Sequence, residues 1–168
     1  VHTPEGSYSA RTGQLRPRSA LPVYRRQLFP ERVYGEGSNE RGVTLWENEG
    51  VRLWHLPQAD AGIAILSVTS KNHTLGAEVL EGILQAVAKA EQEYDGLVIW
   101  HDAPFAVGAN LQQVVEACAA GQWEMLEATV EKFQRASQAF KYAQIPTVAA
   151  VQGMALGGGC EFLMHASH

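Results

Sequence analysis

No stretch of this sequence approaches the roughly 20 consecutive apolar residues that a membrane-spanning helix needs. The N-terminus has no apolar core of the kind a secretory signal carries, so the expectation is a soluble, cytoplasmic protein without a membrane partner. Cysteine is scarce. The two present, Cys118 and Cys160, stand 42 positions apart, without metal-ligand spacing, and two thiols make no disulfide framework. Both are expected to be reduced and buried, behaving as small hydrophobes. Positive charge is nearly missing from the body of the chain: residues 42–168 hold six Lys/Arg against fourteen acids, a balance of −8. Residues 1–41 hold seven Arg against four acids, a balance of +3, and the chain as a whole carries −5. An acidic body argues against a nucleic-acid partner, which needs a basic face. What remains is 168 residues, 46% hydrophobic, enough for one domain with a sizeable core.

Residues 1–42 show no sustained period, and Pro4, Pro17, Pro22 and Pro30 interrupt any helix. "GEGSNERG" (35–42) is a loop by composition. The expectation for 1–42 is a basic linker or arm, and for 43–168 the domain itself. There the pattern changes. "VTLWENEGVRLWHL" holds two apolar runs, 43–46 and 51–56, around Glu47-Asn48-Glu49-Gly50, a β-hairpin signal. "GIAILSV" (62–68) predicts a buried strand. Val79, Leu80, Ile83, Leu84 and Val87 recur at helical spacing within 75–94. "GLVIW" (96–100) is a short strand, apolar on both faces as parallel strands are. Helical sequence runs from about 111 to 143, broken near Gly121. "IPTVAAVQG" (145–153) is a third strand, and a last helix opens at the glycines that follow. Strand, helix, strand, helix, strand is the grammar of a parallel sheet. Ligands bind such sheets at the carboxyl ends of the strands. Two loops leave those ends, 101–110 and 152–158, and are expected to face each other across one crevice.

The second loop, "GMALGGGCE" (153–161), fails both common phosphate-binding patterns. It lacks the spacing G-x-G-x-x-G, and Cys160-Glu161 stands where a P-loop has Lys-Ser/Thr. An acid there would repel a phosphate. Another use remains. The first N–H groups of a helix have no partner within it, and glycines let a ligand approach them closely. Such donors can hold a developing oxygen anion. Glu161, three residues past Gly158, lies on the same helical face, where a carboxylate can move a proton. The residues equally suit a purely structural use, with the glycines allowing tight helix–strand packing and Glu161 complementing the helix dipole. His165 and His168, at i and i+3, make a poor metal site on their own, and no metal is expected. His101-Asp102, just after a strand, has the order of a base with its orienter, but the expectation is a polar strand end; Trp46, Trp54, Trp100 and Trp123 read as core or interface.

"PFAVGANL" (104–111) together with "PTVAAVQGMALGGGCEF" (146–162) closely resembles the crotonase, or enoyl-CoA hydratase/isomerase, superfamily. The resemblance covers about residues 43–168. It implies an α/β fold, a crotonase-like spiral of ββα units with parallel strands, of which this sequence would be the N-terminal part. "LPVYRRQLFPERVYGE" (21–36) and "VRLWHLPQADAGIAILSVTSKNHT" (51–74) further resemble the hydratase module of bacterial bifunctional 3-hydroxyacyl-CoA dehydrogenases.

The resemblance makes Ala109 and Gly158 the two backbone N–H donors that hold an acyl-CoA thioester oxygen. Glu161 matches the first of two hydratase carboxylates. Val107, Asn110, Leu111 and Gln112 match positions lining the coenzyme A moiety, and Lys71, His73 and Leu75 fall in the first CoA-contacting loop. Position 110 is Asn where the family usually has Asp. The family's second catalytic Glu lies well beyond the glycine loop, and the seven residues after Glu161, "FLMHASH", include no acid. The implied activity is hydration of trans-2-enoyl-CoA in fatty-acid β-oxidation, with coenzyme A arriving as part of the substrate and no separate cofactor. Enoyl-CoA isomerase, acyl-CoA hydrolase or a non-catalytic acyl-CoA-binding or assembly fragment are the alternatives. The natural protein is expected to continue past His168, to form a homo-oligomer, and to carry a dehydrogenase domain in the same chain.

Overall fold

The computed structural model describes residues 2–3, 6–17 and 42–168. Most of the expected arm, including the 21–36 segment and the loop 35–42 up to Arg41, lies outside the described residues. The chain divides into two compact units, Val1–Glu36 and Gly37–His168. In the first, His2–Thr3 (β1), Gly6–Ser9 (β2) and Gln14–Arg16 (β3) form a small antiparallel sheet in that order. The turn between β2 and β3 closes with Gly13 N–H donating to Ser9 O at 2.8 Å. These strands, two to four residues long, are too short to leave a period in the sequence.

The second unit is built on a five-stranded sheet ordered β4 (Val43–Glu47), β5 (Val51–Leu56), β6 (Asp60–Val68), β7 (Gly96–Ile99) and β8 (Thr147–Ala149). β4, β5 and β6 run antiparallel. β6, β7 and β8 are parallel, with Leu66 opposite Ile99 and Ile99 opposite Ala149. Helix α1 (Ala77–Glu93) connects β6 to β7. Helices α2 (Leu111–Ala119) and α3 (Trp123–Lys141) connect β7 to β8, and α4 (Gly158–Met164) follows. The hairpin, the central helix and the break at Gly121 fall where the periodicity put them.

α1 buries Val79, Leu80, Ile83, Ala86, Val87 and Ala90 against Val51, Leu53, Ala64, Leu66 and Leu97. α3 packs on α1, and Lys132 of α3 reaches Glu81 of α1 at 3.3 Å. Only this face of the sheet is fully buried. β6 therefore alternates, with Ala64, Leu66 and Val68 inside and Ile63, Ile65 and Ser67 half-buried, where a uniformly buried strand was expected. On the half-buried face Trp54 Nε1 donates to Ser67 Oγ (2.9 Å), which donates to Trp100 O (2.5 Å). Trp123, at the start of α3, is exposed and belongs to no core.

Two further expectations change. The third strand is three residues, not nine: Pro146 has no N–H for the ladder, and past Ala150 the chain turns away, Gly153 taking φ +73°. Cys118 is exposed and Cys160 half-buried, though both expectations were burial. α2 presents only Ala117 to the interior, and the next residue points about 100° away around the helix. Among the described residues no helix is long and apolar enough to cross a membrane.

The glycines at the head of α4 have separate reasons. Gly157 adopts φ +49° and ψ −124°, a region that residues with a Cβ avoid. Gly159 is buried directly on Ala106: an added Cβ would stand 2.6 Å from Ala106 Cβ and 2.9 Å from its carbonyl oxygen. Gly159→Ala is therefore expected to destabilise the protein by about 1–3 kcal/mol, the usual range for forcing a methyl into a packed site. Urea unfolding midpoints check this, and an unchanged midpoint would show that the Ala106 loop yields freely.

Candidate functional site

Three segments meet at the carboxyl ends of the parallel strands. Ala106 N–H donates to Met154 O (3.1 Å) and Leu156 N–H to Ala106 O (2.9 Å), joining the 101–110 loop to the glycine loop. Leu75 N–H donates to Gly108 O (2.9 Å), joining the first loop to the segment before α1. The two loops are thus neighbours, as their place after consecutive parallel strands predicts. A Cβ added at Gly108 would lie only 3.4 Å from the Gly158 nitrogen.

Among the described residues, no protein acceptor takes the N–H of Ala109 or of Gly158. Ala109 faces solvent and Gly158 is half-buried. Gly158 is the first residue of α4, so its N–H carries the partial positive charge of a helix N-terminus. Glu161 lies in the first turn of the same helix, exposed, and its carboxylate has no hydrogen-bond or ion-pair partner among the described residues. Two N–H groups without a protein acceptor and an exposed carboxylate thus lie on adjoining segments, the 101–110 loop and the first turn of α4. A neighbouring apolar cavity between Leu66, Leu75, Ile83, Phe105 and Phe162 holds about 10 Å³, room for one water at most. Organic ligands occupy some hundreds of Å³, so this cavity is too small for one, and the surface where the two loops adjoin is the candidate site.

The remaining sequence candidates divide. Lys71 and His73 sit in a one-turn 3-10 helix, Lys71–His73, with Asn72 at φ 56° and His73 at φ 52°. Lys71 is exposed; His73 Nδ1 lies 2.5 Å from Pro104 O. Leu75 is buried, and its backbone rather than its side chain meets the loop. Val107 is half-buried, while Leu111 and Gln112 are exposed on α2, Gln112 bonding Glu116 one turn on. Asn110 caps α2, its side chain accepting from Gln113 N–H at 3.4 Å. Asn and Asp are near equals as caps, so Asn at 110 retains that role. His165 bonds the Glu161 carbonyl (2.7 Å), whereas His168 pairs with the edge of β8 through Thr147 and Ala149. Their tasks are separate.

His101, expected as a polar strand end, is buried. Its pKa is pushed down to about 4, chiefly by burial and further by the nearby His73; the Phe105 carbonyl and Asp102 oppose the shift. An unfolded chain takes up this proton near the ordinary value of 6.5, the folded chain only near 4. Between those values the unfolded state binds more protons, so stability is full above pH 6.5 and falls as pH drops toward 4. The expected slope is up to about 1.4 kcal/mol per pH unit. Denaturation midpoints across this window check it, and an equal slope in His101→Gln would remove His101 as the cause.

The model of the family described as enoyl-CoA hydratase/isomerase matches residues 58–167. The chain is 29% identical over 138 residues to a Bacillus subtilis protein named "Probable 3-hydroxyacyl-CoA dehydrogenase", covering 82% of this chain and 17% of that protein. It is 30% identical over 105 residues to a Rickettsia prowazekii protein named for a fatty acid oxidation complex trifunctional enzyme, covering 62% of this chain and 15% of that one. Its fold matches a solved enoyl-CoA hydratase from Polaromonas sp. JS666 with a TM-score of 0.62 at 20% identity, covering 70% of this chain and 46% of that one. The chain thus spans less than a fifth of these curated relatives and about half of the solved chain. With the paired glycine loops, the parallel strands beneath them and a family match over most of its length, the chain belongs to the enoyl-CoA hydratase/isomerase family and has the crotonase fold.

Proposed function

We propose that this chain supplies the oxyanion hole and the first carboxylate of an enoyl-CoA hydratase module. The observation that carries the reading is the pair of unaccepted N–H groups, on Ala109 and Gly158, in adjoining loops beside Glu161. A trans-2-enoyl-CoA placed with its thioester oxygen on the two donors would present its C2=C3 bond to the crevice. Glu161 takes a proton from water as the oxygen adds to C3. Charge moves onto the thioester oxygen, where the donors stabilise it more in the transition state than in the ground state. Proton delivery to C2 then restores the thioester. The family pattern gives that step to a second carboxylate, and none of the residues assigned here supplies it, so residues 1–168 alone are expected to give no more than trace turnover.

Coenzyme A enters as part of the substrate, and the chemistry calls for no separate cofactor. The names of the B. subtilis and R. prowazekii relatives support a parent protein that also carries a dehydrogenase domain. Crotonyl-CoA hydration, followed by loss of the conjugated thioester absorbance, tests the reading in the intact protein. Absence of hydration there, with isomerisation of a 3-enoyl-CoA instead, would replace it with the isomerase reading.

A further inference from the structure

Two imidazoles lie in contact beside the Pro104-Phe105 backbone. His101 is buried and His73 half-buried, with ring centroids 4.1 Å apart, and Phe105 stacks on His101 at 5.3 Å. Both nitrogens of His101 are engaged. Nδ1 lies 3.3 Å from Val68 N–H, and Nε2 meets the Phe105 carbonyl. A backbone N–H can only donate, so Nδ1 is bare. A carbonyl can only accept, so Nε2 carries the proton. The partners therefore select one neutral tautomer. By the same logic His73 Nδ1 donates to Pro104 O. The two carbonyls held in this way are consecutive. The residues after them are bonded in turn to Met154, Leu156 and Leu75, and the segment ends at Ala109.

We infer that His101, seconded by His73, is a positioning residue that sets the 104–109 segment and so delivers the Ala109 N–H to the crevice. The inference rests on the reading of Ala109 as an oxyanion donor. Without the imidazole, Val68 N–H and the Phe105 carbonyl lose a buried partner, and the segment can settle elsewhere. Misplacement by about 1 Å can cost on the order of 100-fold in rate, without removing any group that binds coenzyme A. The charged or titratable groups facing His101 are His73 and Asp102. Burial keeps the ring neutral at physiological pH, in agreement with the tautomer the partners demand.

The test compares His101→Phe and His101→Gln in the intact protein with crotonyl-CoA. Phenylalanine keeps the ring and removes both bonds. Glutamine offers one acceptor and one donor, and no charge. His101→Phe is expected to lower kcat by about 10- to 100-fold with KM little changed, and His101→Gln to recover most of the loss. An unchanged kcat in His101→Phe, or a glutamine variant no better than phenylalanine, overturns the inference. Nitrogen-15 spectra give two readouts independent of turnover. His101 should be the Nε2–H tautomer at neutral pH, and a protonated Nδ1 overturns it. The Ala109 amide resonance should shift in His101→Phe and return in His101→Gln; no shift in the phenylalanine variant overturns it. If the wild-type protein hydrates no enoyl-CoA, the hydratase reading fails, and these spectra still decide the positioning. If His101→Phe does not fold, the tautomer and the glutamine variant decide it.

Discussion

Replacing Gly158 by proline in the intact protein is expected to lower crotonyl-CoA hydration by about 100- to 1000-fold, the usual loss when one oxyanion donor is removed. Proline deletes the N–H itself. Its fixed φ suits the first position of a helix, which Gly158 occupies in α4, so the helix should survive. Crowding must be separated from chemistry. A Cβ at Gly158 would stand 2.9 Å from Phe133 Cε2 and 3.2 Å from Cζ. Gly158→Ala introduces the same contact and retains the donor. Phe133 is half-buried on α3, and its ring is the far end of a side chain, so some of that contact can be relieved. The expected pattern is a moderate fall for alanine and a far larger one for proline. Equal falls would assign the effect to Phe133 and withdraw Gly158 as a donor.

That experiment matters because the glycines answer to two demands at once. Gly159 is pinned by packing on Ala106 and Gly157 by its backbone angles, while Gly158, with an unaccepted N–H at the first position of α4, is the one to which the proposal gives a chemical role. The residues in sequence left structural and chemical uses of the triplet open, and the structure distributes them over different positions.

Much of the scaffold was legible because its signals are local. The helix at Ala77–Glu93 follows from one apolar stripe, and the parallel order from short apolar strands separated by helices. The juxtaposition of the loops followed in turn, since both leave the same ends of neighbouring strands. What escaped was set by partners distant in sequence. Nothing near His101 indicates that Val68, 33 residues earlier, would supply its hydrogen-bond donor. The half-burial of β6 depends on which face α1 covers, and a run whose only interior polar residue is Ser67 carries little marker of it. Asn110 was legible as a departure from the family pattern, while its capping bond to Gln113 is a local signal that an Asn before a helix could have revealed. The small sheet of β1, β2 and β3 rests on backbone pairing, with too few residues per strand for periodicity to register.

Glu161→Gln is the second large expected effect. The substitution keeps size and shape and removes the base. Glu161 is exposed and has no partner among the described residues, so its replacement should leave stability within about 0.5 kcal/mol. Adding water across C2=C3 requires a proton to leave the water as its oxygen attacks, and a glutamine amide cannot accept it. Turnover of crotonyl-CoA by the intact protein should therefore fall by about 100-fold or more, the common share of a positioned acid–base group. Binding of a saturated acyl-CoA, which cannot react, should change little, because the proposal rests the thioester oxygen on Ala109 and Gly158 and not on the carboxylate. The two measurements separate the roles: loss of turnover with affinity retained assigns proton transfer, whereas loss of both would make Glu161 a binding or folding group. Near-wild-type turnover would falsify the assignment. Glu161 would then be an ordinary first-turn acid, contributing about 0.3–1 kcal/mol to α4 through the helix dipole, and the base of the reaction would have to be sought elsewhere in the parent protein.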